Sequence, residues 1–185
     1  MVIKQKNVIH RDLKLPNVLI NFKEMPVDVF RMKIQGKKVE FDMQEYLKTV
    51  DLVGKSEAEC PIEIKIADLG FARKLDEDQL AATHCGTPLM MAPQILLGDF
   101  YDHKADVWSL GCVFYEMLTG FTPFTGTSKQ NLTQNIKKGD YSIPKTLKIS
   151  LEGISFLNSC LQFDANKRLT FEDLVRHPYI TFDPR

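Results

Sequence analysis

No run in this 185-residue chain is long and apolar enough to cross a bilayer. The longest candidate, VWSLGCVFYEML at 107 to 118, falls short of the roughly 20 residues a spanning helix needs and carries Glu116, so it reads as a buried core helix. The chain also lacks any excess of one charge: 24 Lys+Arg stand against 24 Asp+Glu. That balance leaves no basic footprint for nucleic acid or an anionic membrane, and neither is expected as a partner. Cysteine is scarce. The four residues at 60, 85, 112 and 160 form no Cys-x-x-Cys pair and have no His at zinc-ligand spacing, which points to reduced, mostly buried thiols rather than a metal site. MVIKQKNVIHRD at the start has no apolar core followed by small residues, as a secretory signal would, so a cytoplasmic location is expected. With 44% apolar and 26% charged residues and no low-complexity tract, the composition is that of one globular domain.

VIHRDL and NVLINF read as short strand or loop segments, and IEIKIAD at 62 to 68 alternates as a buried strand should. Between them lies an unusual tract. Two alternating segments flank Gly36-Lys37 within residues 27 to 42, predicting a hairpin, and helical spacing follows over 43 to 53. From Ala81 onward the pattern is mainly helical. His103 to Thr119 predicts a central buried helix ending at Gly120, and further helices are predicted over 131–138, 151–160 and 171–175. Thr170, followed by Glu172 and Asp173, supplies the last with an N-cap and an acidic first turn. A few strands followed by many helices is an α+β order.

The chemistry is concentrated in HRDLKLPN at 10 to 17. An Asp followed five residues later by an Asn can place a carboxylate and an amide oxygen around one small polar site. Asp68, in Asp-Leu-Gly on a turn after a buried strand, supplies a second hard oxygen ligand. Magnesium prefers such oxygens and keeps phosphate in its shell, so Asn17 and Asp68 suit Mg²⁺ on a nucleoside triphosphate. Asp12 would accept or orient the proton of an attacking hydroxyl, and Lys14 offers a compact positive charge to the transferring phosphoryl group.

These motifs, in this order, resemble the C-terminal lobe of a eukaryotic protein kinase. HRDLKLPN is similar to the catalytic loop, IKIADLG to the magnesium-binding strand and turn, and CGTPLMMAPQ to the end of the activation segment. DVWSLG at 106 to 111 resembles the start of the central helix, DANKRLT carries the late arginine, and HPYI at 177 to 180 resembles the end of the last helix. The resemblance implies an α+β, mainly helical C-lobe over residues 1–185, with short strands at the catalytic loop and an insertion at about 23–61. It implies ATP and Mg²⁺ as cofactors, Asp12 as catalytic base, Lys14 as phosphate contact, and Asn17 and Asp68 as metal ligands. Asp106 would anchor the catalytic loop from the central helix. Lys14 with Thr87 is similar to the serine/threonine type. KIADLGFARK, CGTPLMMAP and KADVWSLGCVFYEMLTGFTPFTG resemble the autophagy-initiating branch most. A protein substrate and a regulatory protein partner are the expected partners. Thr83 sits four residues before Thr87, where the family often carries its activating phosphate, which would pair with Arg11 and Arg73.

Three departures qualify the match. Leu69 replaces the usual Phe but fills the same kind of slot. Gln94 stands where the family has a glutamate that pairs with the late arginine, so Arg168 would meet only a neutral amide. No glycine-rich loop or lysine strand precedes His10, so the N-terminal lobe is expected to be missing. The exposed part of the central helix, including Val107, Leu110, Val113 and Phe114, is then expected to be partly bare, and this chain alone to be inactive. The alternative is a non-catalytic pseudokinase or partial-kinase scaffold that binds a protein.

Overall fold

The computed structural model describes residues 8–23, 60–69, 73–74 and 88–181. Among the described residues four short strands come first: β1 (Val8–Ile9), β2 (Val18–Phe22), β3 (Ile62–Ile66) and β4 (Arg73–Lys74). Six α-helices follow among the described residues: α1 (Pro93–Leu97), α2 (Lys104–Thr119), α3 (Lys129–Lys138), α4 (Leu151–Cys160), α5 (Phe171–Arg176) and α6 (Pro178–Thr181). The chain divides into two units, one of residues 1–18 with 66–182, the other of 19–65 with 183–185. The predicted hairpin at Gly36-Lys37 and helix over 43–53 lie outside the described residues.

In the first unit, helix boundaries follow local chemistry. Ser128 and Ser150 cap α3 and α4 by accepting the backbone N–H of Asn131 and Gly153, both at 3.1 Å. Thr170 and Asp173 close a reciprocal capping box at the start of α5. Gly120 ends α2 at φ 78°, in the left-handed region where a side chain would be strained.

The core wraps α2, which is buried on nearly all sides. Trp108 and Cys112 face one cluster with Ile95, Leu96, Leu132 and Leu157, while Val107 faces another with Phe156, Phe171 and Leu174. The expectation of a bare face on this helix is therefore corrected. Val107 and Val113 are buried, and Leu110 and Phe114 pack against the second cluster, with Phe114 edge-on to Phe156 at 5.3 Å. Helices α4 and α5, both downstream in the sequence, cover that face. Gly111 permits the closest approach, since a Cβ there would lie 2.6 Å from Cβ of Cys160. No helix among the described residues is long and apolar enough to cross a membrane.

Most of β2 and β3 belongs to the second unit, where they form a two-stranded sheet. Lys23 N–H donates to the Pro61 carbonyl at 2.8 Å, and Asn21 lies across from Glu63, bonded at 3.0 Å. The strand expected over 62–68 is present as 62–66, but its burial is corrected: Ile64 is 66% exposed, and Ile20 across from it 54%. Alternation identified an apolar face correctly. It carried no information about what covers that face.

Candidate active site

Residues His10 to Asn17 form a loop closed by a single 3-10 turn at Leu15–Asn17, with Pro16 setting its φ and Asn17 N–H donating to the Lys14 carbonyl at 2.9 Å. Its backbone is held from α2. Asp106, fully buried in the first turn of that helix, accepts the backbone N–H of His10 at 2.7 Å and of Arg11 at 2.9 Å. Burial raises the Asp106 carboxyl above its usual range, and the two amide bonds oppose that rise. Arg11 takes a positive φ of 71°, a strained conformation for a non-glycine residue, at the point where both amides turn toward one carboxylate.

His10 adds a second tie. Its fully buried ring places Nε2 3.0 Å from the Ala67 carbonyl, and because a carbonyl only accepts, Nε2 carries the proton. Ala67 N–H in turn donates to the Asn17 carbonyl at 2.8 Å. Ala67 is thus bonded to both ends of the loop, which places Asp68, at φ 60° and exposed to solvent, directly after that clamp.

Within the loop, Lys14 Nζ contacts Asp12 Oδ2 at 2.6 Å, and Asn17 Nδ2 donates to the Asp12 carbonyl at 2.8 Å and to Asp12 Oδ2 at 3.2 Å. Two acceptors therefore fix the orientation of the Asn17 amide, and its oxygen is turned away from Asp12. The Asp12 side chain is 2% exposed and that of Lys14 27%, so the cation covers the carboxylate and keeps contact with solvent. Asn17 and Asp68 are hard oxygen donors of the kind Mg²⁺ takes, and the fixed amide oxygen fits that use.

The other residues singled out in the sequence are placed as follows. Arg73 lies on β4, where the backbone pairs it with Ile9, two residues before Arg11. Thr83 and Thr87 lie outside the described residues. Gln94 on α1 meets Arg168 through Oε1 at 3.3 and 3.4 Å, with Nε2 buried and unpartnered. Sequence spacing missed three contributors. His10 links the loop to Ala67, Tyr101 receives Arg11 through its hydroxyl at 3.3 Å, and Ser109 ties α2 to the Met90 carbonyl at 2.9 Å. Tyr101 is ninety residues from Arg11, and no local pattern marks such a pair.

Residues 2–180 match the model described as the protein kinase domain. The chain is 35% identical over 182 residues to serine/threonine-protein kinase ATG1c of Arabidopsis thaliana, covering 97% of this chain and 20% of that protein. It is 36% identical over 186 residues to serine/threonine-protein kinase atg1 of Aspergillus fumigatus, and 30% identical over 184 residues to human serine/threonine-protein kinase ULK1, covering 18% and 15% of those proteins. It spans about a fifth or less of the length of these relatives. With residues 2–180 matched, the chain belongs to the protein kinase family and is similar within it to the serine/threonine-protein kinases ATG1c, atg1 and ULK1.

Proposed function

We propose that this chain carries the catalytic side of a kinase that transfers the γ-phosphoryl group of ATP to a serine or threonine hydroxyl of a protein. One observation carries the reading: Asp12, Lys14 and Asn17 are bonded to one another on a loop whose backbone is anchored by buried Asp106. Bound Mg²⁺-ATP supplies the phosphoryl group and neutralises charge on it. The Asp12 carboxylate orients the acceptor hydroxyl and takes its proton. Lys14 sits beside it as the local positive charge, and Asn17 and Asp68 would hold the metal through their side-chain oxygens. Little covalent chemistry is needed from the protein, so positioning by Asp106, His10 and Asn17 is its main contribution.

In the complete polypeptide, Asp12→Asn is expected to lower peptide phosphorylation by at least about 100-fold. Stabilisation by Mg²⁺-ATP is expected to persist in that variant and to be lost in Asp68→Ala. Undiminished turnover in Asp12→Asn would remove the role given to Asp12. A second reading, a non-catalytic scaffold, draws support from Gln94, which leaves buried Arg168 without a carboxylate contact at that position. It predicts neither turnover nor Mg²⁺-ATP stabilisation in the unaltered polypeptide.

A further inference from the structure

Phe100 and Tyr101 are neighbours in the segment between α1 and α2, and their surroundings are opposite. Phe100 is 66% exposed and Tyr101 2%. Hydrophobicity alone would enclose the phenylalanine and leave the phenol at the surface, so the buried place of Tyr101 points to a use for its hydroxyl. The ring belongs to the core cluster that holds Ile9, Leu96, Ala105 and Trp108. From there the hydroxyl accepts a hydrogen bond from Nη1 of Arg11 at 3.3 Å.

Arg11 is the residue of the catalytic loop with a strained backbone, at φ 71°. Its N–H is held by Asp106 at 2.9 Å and its guanidinium by Tyr101, so α2 and the segment leading into it fix both ends of the residue. That segment is itself tied down. Asp102 Oδ1 accepts the backbone N–H of Lys104 at 2.9 Å, and the Asp102 carbonyl accepts that of Ala105 at 3.0 Å, which joins the turn after Tyr101 to the first residues of α2. The residue after Arg11 is Asp12, whose carboxylate is bonded to Lys14 and Asn17. Those bonds orient the carboxylate within the loop, but they do not set where the loop stands against α2. A rotation of Arg11 into the common backbone region would carry Asp12 with it, and a misplacement of about 1 Å at a reacting group can cost about 100-fold in rate.

We propose that Tyr101 is a positioning residue for phosphoryl transfer: its hydroxyl braces Arg11 in the conformation that aims Asp12, and so governs turnover and not nucleotide binding. This role rests on the reading of the chain as a kinase with Asp12 as its base, and it acts through Arg11.

The test is Tyr101→Phe in the complete polypeptide, which keeps the buried ring and removes the oxygen. Measured well below the thermal midpoint, kcat for peptide phosphorylation should fall at least about tenfold, with KM for Mg²⁺-ATP unchanged. Arg11→Met should lower kcat at least as far, and the double variant no further than Arg11→Met alone, because the hydroxyl acts through that guanidinium. Amide hydrogen exchange over residues 10–13 should be faster in Tyr101→Phe, a readout that needs no turnover. Phe100→Ala, at the exposed neighbour, should change none of these. Unchanged kcat, a rise in KM in place of the fall in kcat, losses that multiply in the double variant, an equal loss in Phe100→Ala, or a lower kcat without faster exchange each overturns the role of Tyr101. Absence of turnover in the unaltered polypeptide, or undiminished turnover in Asp12→Asn, defeats the kinase reading instead, and the exchange measurement then decides whether Tyr101 braces the loop.

Discussion

Arg168 is the largest charged side chain that the core encloses among the described residues, at 2% exposure, and the groups it hydrogen-bonds are neutral. Its guanidinium donates to the carbonyls of Lys104 at 2.7 Å and Gln162 at 2.8 Å, lies over the Trp108 ring at 5.1 Å, and reaches Gln94 only at 3.3 and 3.4 Å. Burial lowers it to about 10, so it remains charged at neutral pH. Gln94→Glu replaces a long neutral contact with a charge-assisted one and removes the unpartnered Nε2. The expected gain is about 1–3 kcal/mol, read as a rise in thermal midpoint at pH 7. The sign with pH follows from the new carboxylate, which Arg168 would hold below the usual glutamate range. The gain is present above that range and disappears as pH falls through it. A lower midpoint at pH 7 would mean that the carbonyls already satisfy Arg168 and that the carboxylate only adds a desolvation cost. At this scale the sequence was informative where partners are close in the chain. Asp12, Lys14 and Asn17 announce one another by spacing, whereas the Arg11–Tyr101 contact depends on the path of the intervening chain.

At the scale of elements, Gly111 sets two physical effects against each other. Alanine is favoured over glycine inside a helix by about 1 kcal/mol, but the added Cβ would lie 2.6 Å from Cβ of Cys160 on α4. Backbone of both helices would have to shift, at about 1–3 kcal/mol or more, so Gly111→Ala is expected to lower stability in a denaturant titration. A stabilised variant would show that the α2–α4 contact relaxes freely. The same helices show how far elements are legible. The predicted span of α4, 151–160, is the observed one, and Thr170 caps α5, because serine, threonine and glycine caps act within a few residues. The start of α3 at Lys129 rather than Asn131 follows from Ser128, whose side chain already caps the helix.

For the whole molecule, the unresolved question of the sequence was which apolar surface is covered. The central helix is enclosed by α4 and α5, while the β2–β3 pair shows Ile20 at 54% and Ile64 at 66% exposure. Such a face favours association of copies. Ile20→Lys with Ile64→Lys is expected to reduce self-association of the chain in light scattering at raised concentration, with the thermal midpoint of the helical unit unchanged. Unchanged association would exclude this face as its source. By itself, the sequence determined the helix ends, the apolar stripes and the residues of the catalytic loop, because capping, periodicity and short-range spacing are local properties of the chain. Only the tertiary structure decided that α4 and α5 cover the face of α2 expected to be partly bare, that β3 is exposed, and that Arg168 rests on main-chain carbonyls. Those outcomes depend on which distant segments meet, and burial and hydrogen-bond partnership exist only once they do.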